Sequence, residues 1–272
     1  MINDLFSLKG KTAVITGGTG VLGSEMAKGL AKAGASVVVI GRRKSAGDVV
    51  VNAIKSFGGQ SEFVEADVLD ADQLIKAKKQ ILDHHNGIDI LINAAGGNLP
   101  GAIITPDQTF FDLKIDEFQK VVDLNLKGTV LPVKIFCDVM ASNKKGVIIN
   151  IASMASFKPI TLVVGYSAAK AAVDNFTQWL AVEMARKFGE GIRVNAIAPG
   201  FFITEQNRNL LTNPDGTYTA RGESAIKQTP FARFGVPEEL IGTLIWLCSD
   251  ASKFVTGVTV PVDGGFNVFF GV

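Results

Sequence analysis

Short β-branched apolar runs alternate with longer stretches of helical periodicity from one end of this chain to the other, and that alternation constrains the fold more than any other feature. The runs are Thr12–Thr16, Ser36–Ile40, Ser61–Ala66, Ile88–Asn93, Val147–Ala152, Arg193–Ala198 and Thr259–Val262. Most are continuously apolar rather than alternating, as strands must be when helices cover both faces of a parallel sheet. Helical patterns occupy Ser24–Ala33, Ser45–Phe57, Ala71–His85, Asp116–Ser142, Tyr166–Phe188 and Pro237–Ser249. Together they predict an α/β fold: a doubly wound parallel sheet of about seven strands with helices on both faces.

No Gly/Ser-rich or Pro-rich linker, repeat or low-complexity tract divides the 272 residues, so a single domain spanning 1–272 is expected. Two connections are unusually long, at about 96–115 and 199–229. Both follow strand C-termini, where open α/β sheets bind ligands, and they are the expected walls and lid of a substrate pocket.

The first strand runs into Gly17-Gly18-Thr19-Gly20-Val21-Leu22-Gly23 and then a helix. Glycines let the backbone turn tightly and approach a pyrophosphate, whose charge a helix N-terminus favours. Gly18-x-Gly20-x-x-Gly23 fits the general dinucleotide fingerprint, and its place between a strand and a helix makes the fold Rossmann-type. An acidic residue that would bind the adenosine ribose is expected about 20 residues on. The second strand instead ends Ile40-Gly41-Arg42-Arg43. Arg42 could pair with a 2′-phosphate, which favours NADP(H) over the alternative NAD(H); a solvated basic turn is the other reading. Asp67 could face the adenine or cap the following helix.

Tyr166 and Lys170 stand one helical turn apart, and Ser153 lies thirteen residues before the tyrosine. A phenol near pKa ~10 is a poor acid or base at neutral pH. An ammonium at i+4 favours the phenolate. A strand-end hydroxyl could hold a substrate oxygen beside the phenol, although Ser153 could also cap the turn after its strand.

These residues resemble the short-chain dehydrogenase/reductase family along nearly the whole chain. The match comprises the glycine loop, Asp67-Val68, Asn93-Ala94-Ala95-Gly96, Asn125, Ser153, Tyr166-x-x-x-Lys170 and Asn195-Ala196-Ile197-Ala198-Pro199-Gly200. The resemblance implies that Tyr166 is the general acid/base and that Ser153 orients the substrate oxygen. It implies that Lys170 binds the nicotinamide ribose and lowers the phenol pKa, and that Asn125 holds a water in a proton relay. Cofactor contacts carried over by motif are Gly17, Gly20, Val21, Leu22, Gly23, Asp67, Val68, Asn93, Ala94, Gly96, Tyr166, Lys170, Pro199 and Gly200, to which the residue reading above adds Arg42. One departure stands out: Val21 occupies the middle-glycine position of the shorter-chain branch, so Thr16-Gly17-x-x-Gly20-x-x-Gly23 has the spacing of the longer-chain branch.

A narrower resemblance, to the D-mannonate oxidoreductase (fructuronate reductase) group, rests on three stretches. They are Asn93-Ala94-Ala95-Gly96-Gly97-Asn98 with Thr109–Leu113, Phe201–Arg208, and Leu211-Thr212-Asn213. It implies interconversion of D-mannonate and D-fructuronate. The alternatives are a reductase of another sugar acid or polyol, such as keto-gluconate, and a non-catalytic nucleotide-binding sensor. A sugar-acid carboxylate calls for a guanidinium able to bind at two points, and Arg208 in the second long connection is the first choice. Asn98, Gln206 and Asn207 are candidates for sugar hydroxyls. For all four, a solvated loop is the competing reading.

The remaining features point away from other functions. A net charge of +1 and a pI near 7.7 give no electrostatic case for nucleic acid or anionic membrane. Cys137 and Cys248 lie in helical patterns without metal-ligand spacing and read as buried thiols, and no metal is expected. His84 and His85 read as a solvated helix end. The first residues lack a basic region followed by an apolar stretch, and no apolar run approaches the ~18 residues of a membrane span, so a cytoplasmic protein is expected. Trp179, Leu180, Val182 and Met184 read as core packing or a subunit contact. The apolar tail Phe266–Val272 suits a subunit contact as well. The resemblance implies a homo-oligomer, a tetramer or dimer.

Overall fold

A computed structural model describes residues 2–204 and 207–271. Seven strands form one sheet: β1 Thr12–Thr16, β2 Ser36–Gly41, β3 Ser61–Glu65, β4 Ile90–Asn93, β5 Gly146–Ile151, β6 Ile192–Pro199 and β7 Thr259–Val262. Every pairing is parallel, in the order β3-β2-β1-β4-β5-β6-β7. The helices are α1 Ile2–Leu5, α2 Val21–Lys32, α3 Lys44–Ser56, α4 Ala71–His84, α5 Ile115–Val122, α6 Gly128–Asn143, α7 Val164–Phe188, α8 Arg208–Leu211, α9 Ala220–Lys227 and α10 Ile241–Cys248. This is the expected single-domain Rossmann-type fold.

The pleat explains why the strands had to be apolar throughout. Ala13, Ile15, Val37 and Val39 point to one face, where they pack with Met26 and Leu30 of α2, Ile54 of α3, and Leu244 and Leu247 of α10. Their neighbours Val14, Val38 and Ile40 point to the other, against Leu74 and Ile81 of α4, Phe136 of α6 and Leu180 of α7. Both faces are therefore dry, and a polar residue inside a strand needs a partner. Asn150 of β5 shows this: it accepts from Asn93 Nδ2 and donates to Thr177 Oγ1 of α7, both at 2.9 Å. Arg193 of β6, also buried, donates to the Leu247 carbonyl and Ser252 Oγ at 2.9 Å and to the Ser249 carbonyl at 3.0 Å, closing the end of α10.

Several local expectations change. The helix expected over Asp116–Ser142 is α5 and α6 joined by a π-turn at Asp123–Lys127, which carries Asn125. Such a widening rotates a residue out of the helical register and recurs at functional sites. The second long connection contains α8 and α9; Thr219 caps α9 by accepting from the Gly222 N–H at 3.1 Å. Asp70, rather than Asp67, caps α4, accepting from the Gln73 N–H at 3.0 Å. His84 and His85 both bond the Glu62 carboxylate, at 2.8 and 3.0 Å, so this helix end is anchored to β3 rather than simply solvated. Cys137 and Cys248 are buried thiols, with Cys248 pushed up to about 12 by burial. On α7, Leu180 is buried while Trp179 and Val182 are exposed. In the tail, Phe266 packs within the chain against Phe201, with ring centroids 5.1 Å apart, and Phe270 lies over the Lys158 ammonium. Among the described residues no helix is long and apolar enough to cross a membrane.

Candidate active site

In a doubly wound sheet the chain reverses winding direction between two neighbouring strands, and their C-terminal ends leave a crevice. Here those strands are β1 and β4. Thr16, the last residue of β1, ties the crevice together: its carbonyl accepts from the Ala94 N–H at 3.2 Å and its Oγ1 from the Ala95 N–H at 3.4 Å.

The glycine turn fills the space above β1. Gly17 has φ +64°, and a Cβ there would stand 2.6 Å from the Ala95 nitrogen. A Cβ on Gly23 would lie 2.2 Å from the Gly17 carbonyl oxygen. Both positions therefore exclude any larger residue, one for backbone sign and approach, the other for helix-to-turn packing. Gly20 is the N-cap of α2 and supplies no side-chain cap, so the first-turn N–H groups of Val21 and Leu22 and the positive end of the helix face the crevice. Val21 opens α2 without disturbing this arrangement, and Leu22 packs on the core.

At the end of β2 the Arg42 guanidinium lies 3.8 Å from the Asp67 carboxylate. Two candidates read separately in the sequence are thus one loose ion pair, with Arg42 exposed and Asp67 half-buried. Asp67 also accepts from the Leu69 N–H at 2.9 Å, an Asx turn that leads Val68 into the core. At the far side, the Gly200 N–H donates to the Val262 carbonyl at 2.9 Å, continuing the ladder past Pro199.

The proton-transfer candidates converge beyond β5. Ser153 caps a short 3₁₀ turn, accepting from the Ala155 N–H at 3.2 Å, and its hydroxyl lies close enough to the Tyr166 phenol to act on its titration. Capping and phenol contact coexist in one side chain. Burial pushes the phenol above its usual range, and the Ser153 hydroxyl pulls it part of the way back. Lys170 is buried; its Nζ donates to the Ile151 carbonyl at 2.6 Å and lies 5.6 Å from the Tyr166 ring centroid. Burial pulls this ammonium down to about 8. The lysine thus sits beside the phenol ring while a strand-end carbonyl holds its ammonium.

Asn125 has a clasping geometry. Its Nδ2 donates to the Gly97 and Val121 carbonyls at 2.7 and 2.8 Å, and its Oδ1 accepts from the Gly97 N–H at 3.1 Å. Both amide protons are committed, so a relay through this residue has to use an oxygen. The clasp fixes the loop after Asn93, Ala94 and Gly96 and sets Asn98, whose Oδ1 is buried without a donor among the described residues. Asn93 Oδ1 is in the same condition. Asn207 is partly occupied: it accepts from the Thr204 N–H at 2.7 Å and donates to the Phe202 carbonyl at 2.8 Å, so its amide helps to fold the second long connection. Arg208 is exposed on α8, and Gln206 lies outside the described residues.

A sequence profile of the short chain dehydrogenase family matches residues 11–215. The chain belongs to the short-chain dehydrogenase/reductase family. An oxidoreductase of Bacillus subtilis named UxuB, without an assigned substrate, is 48% identical over 98% of both chains. Among solved structures, a protein from Haemophilus influenzae, provisionally named a D-mannonate oxidoreductase and holding NAD, superposes with a TM-score of 0.92 at 40% identity over 100% of each chain. A gluconate 5-dehydrogenase from Burkholderia cenocepacia, in complex with NADP and tartrate, superposes at 0.87 with 32% identity over 98% of both.

As in any short-chain dehydrogenase/reductase, the question for this chain is whether its own residues suit a nicotinamide dinucleotide. They do, on three observations: a glycine cradle that a Cβ would fill, a helix N-terminus without a side-chain cap, and a buried ammonium bonded only to a carbonyl among the described residues. The sequence reading missed the Asn93–Asn150–Thr177 chain that joins β4 and β5 to α7, although a polar residue inside the apolar run Val147–Ala152 was its signal.

Proposed function

We propose that this oxidoreductase interconverts D-mannonate and D-fructuronate. The observation that carries the reading is the meeting of Ser153, Tyr166 and Lys170 beside the glycine cradle, in a chain aligned along its full length with the 40%-identical Haemophilus protein. Gly17, Gly20 and Gly23 with the first turn of α2 would hold the pyrophosphate of a nicotinamide dinucleotide. Val68, Asn93, Ala94, Gly96, Lys170, Pro199 and Gly200 would line the rest of its path. When bound, that cofactor supplies or accepts the hydride.

The chain's own part is to hold and protonate the ketone oxygen. Ser153 and Tyr166 hydrogen-bond that oxygen, and Tyr166 gives it a proton as negative charge develops. The phenol's raised pKa keeps it protonated and able to donate in the reduction direction. Lys170, cationic below about pH 8, stabilises the phenolate left behind. Asn125 keeps the loop bearing Gly96 and Asn98 in place, and Asn98 Oδ1 is a ready acceptor for a sugar hydroxyl.

The nucleotide choice turns on the Arg42–Asp67 pair. Arg42 suits a 2′-phosphate, and Asp67 competes for it; NADP(H) is the first choice and NAD(H) the second. Solved relatives hold one or the other. In this reading the protein is cytoplasmic and forms a homo-oligomer, the latter supported by the exposed Trp179 and Val182 of α7 and by Phe254. A second reading, reduction of 5-keto-gluconate, is favoured by the gluconate 5-dehydrogenase likeness. Rates of NADH and NADPH oxidation with D-fructuronate and with 5-keto-D-gluconate, compared side by side, test the proposal. Fructuronate should give the larger kcat/KM; a preference for keto-gluconate selects the second reading.

A further inference from the structure

A six-carbon sugar acid presents a carboxylate several bonds from its ketone, and a short-chain dehydrogenase has to meet that charge if it is to reject neutral ketoses. Arg208 is poorly placed for this, exposed on a four-residue helix. Arg221, in the first turn of α9, is placed otherwise. It is half-buried, with Nη1 donating to Thr161 Oγ1 at 3.2 Å and Nη2 to the Thr161 carbonyl at 3.1 Å. Thr161 belongs to the segment between the Ser153 turn and α7, five residues before Tyr166.

That segment is a junction. Leu162 adopts φ +74°, a left-handed conformation that is unfavourable for a bulky residue and persists only where its surroundings impose it. Its carbonyl accepts from the Ile104 N–H at 3.0 Å, so the first long connection is tied to the residue next to the one that Arg221 holds. Both pocket walls therefore meet the chain immediately before the phenol.

The helix that carries the guanidinium is tied to its neighbours. Thr219 donates to the Leu210 carbonyl at 2.6 Å, and Ala225 of α9 packs with Leu211 and Phe234. A guanidinium has five N–H donors in a planar fork, and only the two to Thr161 are engaged among the described residues. Desolvation alone pulls its pKa down, with no carboxylate contributing. Its remaining N–H donors, on a guanidinium only partly shielded from solvent, are free in geometry to take a carboxylate at two points.

We propose that Arg221 anchors the substrate carboxylate, with Thr161 holding the fork in position for two-point contact. The inference rests on the sugar-acid reading above. It makes Arg221, not Arg208, the residue that distinguishes a sugar acid from a ketose.

Two measurements on the full-length protein test it. The first is D-mannonate binding to the protein saturated with reduced nicotinamide cofactor, a combination that cannot react, with uncharged D-mannitol as comparison. The second is kcat and KM for D-fructuronate and for D-fructose, its uncharged counterpart. Arg221→Met should weaken D-mannonate binding and raise KM for D-fructuronate by about 10- to 100-fold, the loss expected for hydrogen bonds to a charged group. Its kcat/KM for D-fructose should stay near that of the wild type. Arg221→Lys should recover part of the loss, and Arg208→Met should lose far less than Arg221→Met. Equal losses for acid and ketose would reduce Arg221 to a lid support and overturn the anchor, as would a larger loss in Arg208→Met or unaltered mannonate binding in Arg221→Met. A wild type that neither binds nor reduces six-carbon sugar acids overturns the sugar-acid reading and the anchor with it. A wild type that does both, matched by Arg221→Met, overturns the anchor alone.

Discussion

Replacing Lys170 by methionine removes a buried ammonium whose cost is legible in its titration. Burial takes its pKa from 10.5 to about 8, so the cation is less favourable in the fold than in the unfolded chain by about 3 kcal/mol. The folded value lies below the unfolded one. The fold therefore carries the full penalty below about pH 8, sheds it as pH rises toward 10.5, and is free of it above. Methionine has no such dependence, but it leaves the Ile151 carbonyl without its donor, a loss of about 1–3 kcal/mol that does not vary with pH. At neutral pH the two effects oppose each other, so the difference between the proteins as pH changes is the informative quantity. Urea unfolding of both proteins without added nucleotide, from about pH 7 to 9.5, should show the wild type gaining about 2 kcal/mol on Lys170→Met. A stability gap that does not move with pH would mean that Lys170 is solvated, and the account of its burial beside Tyr166 would be wrong.

Gly17→Ala places a Cβ 2.6 Å from the Ala95 nitrogen at φ +64°, and should weaken dinucleotide binding at least about tenfold by titration calorimetry while the circular dichroism stays native; unaltered affinity would remove the turn from the cofactor site. Arg42→Ala should raise KM for NADPH about tenfold and leave NADH nearly untouched, whereas equal effects would discard the 2′-phosphate role. Arg193→Met strips donors from the Leu247 and Ser249 carbonyls and from Ser252, and should cost at least about 2 kcal/mol in a urea melt; a wild-type midpoint would show that water replaces the guanidinium.

Strands were easy to read because parallel strands are buried on both sides. Thr12–Thr16 and Thr259–Val262 match to the residue, and the other ends move by one or two residues where pairing begins or stops. Length and periodicity cannot reveal a π-turn, so α5 and α6 read as one helix; what distinguishes Asn125 is the Gly97 backbone that it clasps. The short helices α8 and α9 escaped for a related reason, since helices of four and eight residues draw their stability from tertiary contacts rather than propensity. Side-chain partnerships were legible only where they were local. Tyr166 and Lys170 share a helix and could be paired on paper, yet the Ile151 carbonyl that takes up the ammonium lies on a strand. Arg221 gave no signal at all, because Thr161 is 60 residues away.

The central claim is that Tyr166 protonates a sugar-acid ketone during reduction. It is tested most directly by measuring fructuronate-dependent oxidation of reduced nicotinamide by the wild type and by Tyr166→Phe under the same conditions, with dinucleotide affinity determined for both. The account predicts clear turnover in the wild type, a loss of about 10²–10⁴-fold in kcat for the variant, and dinucleotide binding near that of the wild type. Turnover retained by Tyr166→Phe, or a wild type inactive on fructuronate with either nucleotide, would contradict it.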